Sequence, residues 1–334
     1  MSGSWAVGAA TGVGSLPGTD PLAAATLVLG ALTVPHVPEL PARGVGADAV
    51  GRTAALLVDL PVEVVASGWQ VAARPGADIE RARQLLVEDL AALEVAARGW
   101  AGPLKTQVVG PLTLAASLGQ ARGEAAVADR GLLRDLSDSL AEGVRAHLAE
   151  LAVRVPGARL LLQVDEPSLP GVLAGVVPTR SGWGRLRPVD APAAEQALRT
   201  VLDAAPHSGA LVHCCARGVP VALVRGAGAA ALSFDLDLLG DDGIDACAEA
   251  VDDGLALVVG AVPTSRVTES AEVADRVRAL WSRLGFGPDV WRERTVVAPA
   301  CGLAGMSDER ARRAYRVTQE AARRLAESDD TVAP

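Results

Sequence analysis

A histidine and two cysteines stand side by side in LVHCCARG (211–218), in a chain that holds only four residues of each type. All three can ligate a metal, but in an extended strand residues i and i+2 share a face while i+1 takes the other. His213 and Cys215 therefore point to one side, and Cys214 to the opposite layer. A further thiol, Cys301, lies in PACGL (299–303). One imidazole and two thiolates make a Cys₂His set, a zinc arrangement that leaves a fourth position open for substrate. Asp235, closing LSFD (232–235), is the candidate for that position, to be displaced by substrate. Cys214 and Cys247 are expected to be inert, and His147 and His207 to be solvated.

The residues that could meet in such a site are far apart in sequence, so the elements that carry them decide whether they meet. Short apolar runs alternate with amphipathic stretches. Strands are expected in WAVGAATGVG (5–14), more weakly near LTVPHV (32–37), then LKTQVVG (104–110), ARLLLQVD (158–165), GALVHC (209–214), AALSFDL (230–236), LALVVGA (255–261) and TVVAP (295–299). Helices are expected over 78–98, 131–154, 192–204, 217–226, 243–253, 268–284 and 307–327. Continuous Val/Leu/Ala strands fit a parallel sheet covered on both faces. Alternation of this kind predicts an α/β fold, a single (β/α)8 TIM barrel over 1–334 with a short flexible tail about 328–334. An open doubly wound sheet is the alternative, but no GxGxxG follows the first strand.

In a parallel barrel the C-terminal strand ends converge on one mouth. The unusual polar residues fall there: Ser15 in GSLP, His36 and Glu39 in HVPELP, Asp165 and Glu166 in QVDEP, then the HCC, LSFD and PACG endings. Scattered in sequence, they become one constellation.

Half of the chain is hydrophobic but only 3% is aromatic, so Ala, Val and Leu must fill the core. A net charge of −9 without a dense basic run argues against nucleic-acid binding. The N-terminus has no basic segment followed by an apolar one, and no run of eighteen apolar residues occurs, so neither a secretory leader nor a membrane span is expected. A cytoplasmic protein with reduced thiols is the reading. Lys105 is the only lysine; we read this arginine bias as a mark of a GC-rich genome, without functional weight.

The ordered set VGSLP, QVDEP, VHCC, LSFD and PACGL resembles the C-terminal catalytic barrel of cobalamin-independent methionine synthase, within the uroporphyrinogen decarboxylase-like superfamily. The resemblance runs from Gly12 to about Gly305. It implies a zinc-dependent methyltransferase that carries a methyl group to the thiol of homocysteine. His213, Cys215 and Cys301 would be zinc ligands, and Asp235 stands where the family has a glutamate ligand. Ser15 would hold the amino-acid carboxylate, and Asp165, shared with Glu39, the amino group.

Two positions depart from the family. After GPLTL (110–114) Ser117 stands near the place of a tryptophan that stacks on the folate, and GAVPTSR (260–266) lacks a histidine that protonates the departing folate nitrogen. The donor is therefore left between 5-methyltetrahydrofolate and a methylcorrinoid on a carrier protein, whose methyl needs no proton to leave. The long connection 170–192, with Arg180, Trp183, Arg185 and Arg187, is either a lid or docking surface or a plain solvated loop. Competing readings are a corrinoid-dependent methyltransferase acting on another thiol, a uroporphyrinogen decarboxylase-like lyase, and a non-catalytic zinc-binding relative.

Overall fold

Seven parallel strands and one proline-interrupted segment close into a ring in the computed structural model, which describes residues 6–205 and 209–327. In chain order the strands are β1 (Ala9–Ala10), β2 (Val62–Val65), β3 (Gly68–Val71), β4 (Pro103–Val109), β5 (Gly119–Gln120), β6 (Arg159–Asp165), β7 (Ala210–Cys214), β8 (Ala231–Asp235), β9 (Ala256–Val262) and β10 (Thr295–Pro299). The large sheet runs β1-β10-β9-β8-β7-β6-β4. Residues 33–39 fill the gap between β1 and β4 through the parallel bridges Thr11↔Val34, Ser15↔Glu39 and His36↔Lys105. Pro35 and Pro38 have no N–H to give, so a continuous ladder cannot form there. The segment instead pairs to either side in turn: the Val34 N–H donates to Ala10 O at 2.9 Å, and the Val37 N–H to Lys105 O at 2.8 Å. The (β/α)8 barrel is thereby realised, its weak second strand as an irregular stave.

Helices cover the outside, and their starts are written in the sequence. Asp20, Asp129, Asp190 and Ser307 each accept backbone N–H groups at the first turn of Pro21–Ala31, Arg130–Arg154, Ala191–Leu202 and Asp308–Ala326. The helix Pro21–Ala31 was not expected, although an Asp-Pro start signals it. The helix expected at 217 begins only at Val221, because Gly218 takes a φ of +73° and Pro220 sits at the cap. A further difference is a small sheet, β2-β3-β5, outside the ring.

The ring interior is layered. Inward positions of β6, β7 and β8 begin apolar with Leu161, Leu211 and Ala231, which pack with Val258 and Val296 into a core separate from the outer one. Two residues on, the same faces carry Gln163, His213 and Ser233, all buried. Apolar side chains thus plug one end, and polar ones line the mouth.

His147 corrects an expectation of solvation. It lies on the inner face of Arg130–Arg154, 5% exposed, with Nε2 3.0 Å from the Thr106 hydroxyl. Burial, with Arg52 nearby, lowers its pKa from 6.5 to about 4. The native state therefore holds it neutral where the unfolded chain protonates it, so its contribution is present above pH 6.5 and is lost as pH falls toward 4. His147→Gln should flatten the acid limb of stability by roughly 3 kcal/mol or less, read from denaturant midpoints between pH 7 and 4. His207 lies outside the described residues, as does the tail about 328–334.

Among the described residues no helix is long and apolar enough to cross a membrane.

Candidate metal centre

β7 ends at Cys214 and β10 at Pro299, and the residues just beyond them meet. The ligand atoms of His213, Cys215 and Cys301 lie within 4.8 Å of one another, and the two Sγ atoms are 3.5 Å apart. His213 is 2% exposed, and the two cysteines are half-buried. Cys214, one position out of phase, turns into the outer core and is fully buried. Burial pushes its thiol up to about 11 and that of Cys247 up to about 12, so both stay protonated.

The register explains the aim of the imidazole. His213 faces Ser233 across β7 and β8, and its Nδ1 lies 2.8 Å from Ser233 Oγ. Donation from Nδ1 to the hydroxyl leaves Nε2 as a bare lone pair. That atom is buried with no hydrogen-bond partner. A buried lone pair facing two thiols fits a soft divalent cation, and zinc suits this donor set. Sharing of one thiol proton pulls Cys301 below the usual thiol range and pushes Cys215 above it.

Asp235 does not join the three. Its carboxylate accepts from the Asp237 N–H at 2.9 Å, capping the turn Leu236–Leu238.

The three residues expected to hold an amino acid stand on neighbouring staves. Ser15 and Glu39 are bridged, with the Leu16 N–H donating to Glu39 O at 2.8 Å. Ser15 also touches the metal loop: its carbonyl accepts from the Leu303 N–H at 2.8 Å. A Cβ on Gly302 would fall 2.1 Å from Ser15 Oγ, so the glycine after Cys301 is what lets these two loops meet. Glu39 is buried, accepts from Gln107 Nε2 at 3.1 Å and lies 4.0 Å from Arg52 Nε. Burial raises its pKa. Asp165 is in register with His213 and accepts from Gln163 Nε2 at 2.7 Å. Burial foremost raises it to about 7, against the pull of His213 and Lys105.

Glu166, its neighbour, serves the frame. It accepts from the N–H groups of Leu112 and Thr113, both at 2.9 Å, and from the Thr113 hydroxyl at 2.7 Å. It therefore caps Pro111–Ser117 from the adjacent stave, and a Cβ on Gly110 would meet its Oε1 at 2.3 Å. DEP and GPLT are two halves of one joint.

Lys105 was missed, and composition misled. It is fully buried in the ring, its Nζ donating to Gln163 Oε1 at 2.6 Å and to Val13 O at 2.9 Å. Burial lowers its pKa to about 8, opposed by Asp165 and Glu39. The signal was present: a lone lysine within an apolar strand, with glutamine two positions on.

The connection 170–192 is anchored at several points: Leu186 is buried in the core, Asp190 pairs with Arg130 at 2.5 Å, and the Arg180 N–H donates to Glu124 at 2.6 Å and its guanidinium to Gln120 O at 3.3 Å. Trp183 at its tip is 95% exposed.

With this geometry in place, the family comparison is decisive: the model of the cobalamin-independent synthase catalytic domain matches residues 8–324. The chain belongs to that family. Membership in the cobalamin-independent synthase family assigns it to the methyltransferases. No curated protein matches the chain in sequence. Among solved structures it is similar to a B12-independent methionine synthase from Shewanella sp. W3-18-1 in complex with selenomethionine. That pair has a TM-score of 0.60 at 13% identity, covering 96% of this chain and 98% of the other. It is also similar to a methyltransferase from Methanosarcina mazei, with a TM-score of 0.56 at 16% identity and coverages of 92% and 86%. At such identities the likeness is one of fold.

Proposed function

We propose that this family member is a zinc-dependent methyltransferase that methylates the thiol of homocysteine to give methionine. The observation that carries the reading is the meeting of His213, Cys215 and Cys301 with an unpartnered His213 Nε2, beside Ser15, Glu39 and Asp165. The selenomethionine bound by the Shewanella protein supports a sulfur amino acid as the ligand.

His213, Cys215 and Cys301 would hold the zinc, which when bound deprotonates a thiol of ordinary pKa about 8.5 and keeps it reactive. Ser233 fixes the His213 ring, and Ser15 offers a hydroxyl to the substrate carboxylate. Glu39 and Asp165 accept from its ammonium. Together they aim the sulfur for direct displacement: the sulfur–methyl bond forms as the donor–methyl bond breaks, the electron pair leaving with the donor. A departing folate amine needs a proton. The loop after β9, with Pro263, Thr264, Ser265 and Arg266, has no histidine to supply one, which favours a methylcorrinoid as donor.

Protein purified under reducing conditions should hold one zinc per chain by elemental analysis. It should form methionine from homocysteine with methylcobalamin faster than with 5-methyltetrahydrofolate. Wild-type protein without stoichiometric zinc would end this reading; turnover with folate alone would reverse the choice of donor.

A further inference from the structure

One buried acceptor in the mouth has no donor. Gln107 is 6% exposed, and its Oε1 has no hydrogen-bond partner. The orientation of the amide is settled by its other end. Nε2 faces two acceptors, Val37 O at 2.7 Å and Glu39 Oε1 at 3.1 Å. Turning the amide over would set oxygen against oxygen at both contacts.

The donors around it serve other acceptors. Lys105 Nζ gives two of its three N–H groups to Gln163 Oε1 and Val13 O, and none of the three bonds to Gln107 Oε1. Gln163 Nε2 gives to Asp165 Oδ1 at 2.7 Å and to Val13 O at 2.8 Å. A buried acceptor left unmade is costly, and this one is open to a donor from outside this network.

Position says which donor. β4, which carries Gln107, lies between residues 33–39, which carry Glu39, and β6, which carries Asp165. Gln107 is in register with Gln163, the residue that donates to Asp165. We infer that Gln107 is a direct substrate-binding residue whose Oε1 accepts from the ammonium of the amino-acid substrate, the third acceptor beside Glu39 and Asp165. An ammonium has three N–H groups, and three consecutive staves each supply one oxygen. Two charged acceptors and one neutral one also leave less repulsion in the empty pocket than three carboxylates would. The inference rests on the amino-acid reading above.

The test needs neither donor nor turnover. Calorimetry compares L-methionine with 4-(methylsulfanyl)butanoate, which lacks only the amino group. Wild type should favour methionine. Gln107→Met keeps the length of the side chain and removes its polar atoms. It should reduce that preference roughly 10- to 100-fold while binding the des-amino acid as before. Gln107→Leu, which likewise lacks the acceptor, should lose the preference to the same extent.

An unchanged preference in a folded Gln107→Met would mean that Oε1 holds a resident water only, and would overturn the assignment. If Gln107→Met does not fold, Gln107→Leu decides: a lost preference supports the contact and a kept one refutes it. Wild type with no preference would remove the amino-acid reading itself, and the role of Gln107 with it, a failure visible before any variant is made.

Discussion

Cys301→Ser should strip the protein of stoichiometric zinc and of methyl transfer, while the barrel still folds. Cys301 is one of the three donors that converge among the described residues. A serine hydroxyl stays protonated at neutral pH and is a poor zinc ligand. Loss of an outer partner of a metal ligand typically costs 10- to 100-fold in affinity; loss of a ligand among three should cost roughly a thousandfold or more. Elemental analysis and competition with a chromogenic chelator read this directly. The informative control is Cys214→Ser. Cys214 is adjacent to a proposed ligand but faces the outer core, so zinc should stay at one per chain and only thermal stability should fall. Equal zinc loss in both variants would mean that the assignment of faces on β7 is wrong.

Lys105→Met should raise the KM for homocysteine roughly 30- to 150-fold and leave zinc content unchanged, equivalent to about 2–3 kcal/mol of lost binding. The side chain is nearly isosteric, so the change removes a charge more than it removes packing. Lys105 holds Gln163 Oε1, which leaves the Gln163 NH2 to face Asp165. Without the ammonium group that amide is free to turn its oxygen on the carboxylate. Asp165 and Glu39 would also lose a buried countercharge and would more readily hold protons than a substrate ammonium. Steady-state kinetics beside metal analysis checks the prediction. A drop in zinc that parallels the rise in KM would make Lys105 a structural residue alone.

How much of this could be read from residues alone depended on the range of the interaction. Strand alternation is local, so the division of His213, Cys214 and Cys215 between two faces followed from three consecutive letters. Cys301 followed from one topological rule, that strand ends share a mouth. Glu39 was harder, because Pro35 and Pro38 break the pattern of its stave and the pairing partners lie on two other elements. The lone lysine in its apolar strand was a signal, but what Lys105 and Gln107 do was not legible, since their roles are defined by Gln163, Val13 and Val37 across neighbouring staves. Glu166 looked like a second acid of the site, yet the N–H groups it caps belong to a helix after the preceding barrel strand. Asp235, at the right strand end, stands outside the cluster of three and spends Oδ1 on capping its own turn, a local use that strand position alone does not reveal.

The ring is closed by pairing the first strand of the chain with the last, Ala9 with Val296 and Ala10 with Val297. Ser15 and Cys301 therefore come together only after nearly the whole polypeptide exists. During synthesis the emerging chain carries His213 and Cys215 long before their third partner. On the proposed zinc reading, metal capture would work as a completion signal: an ion that needs all three donors would add stability only to the closed ring. Nascent or clipped chains would be left without that stability, and depletion of the ion would lengthen the time the last strand stays undocked.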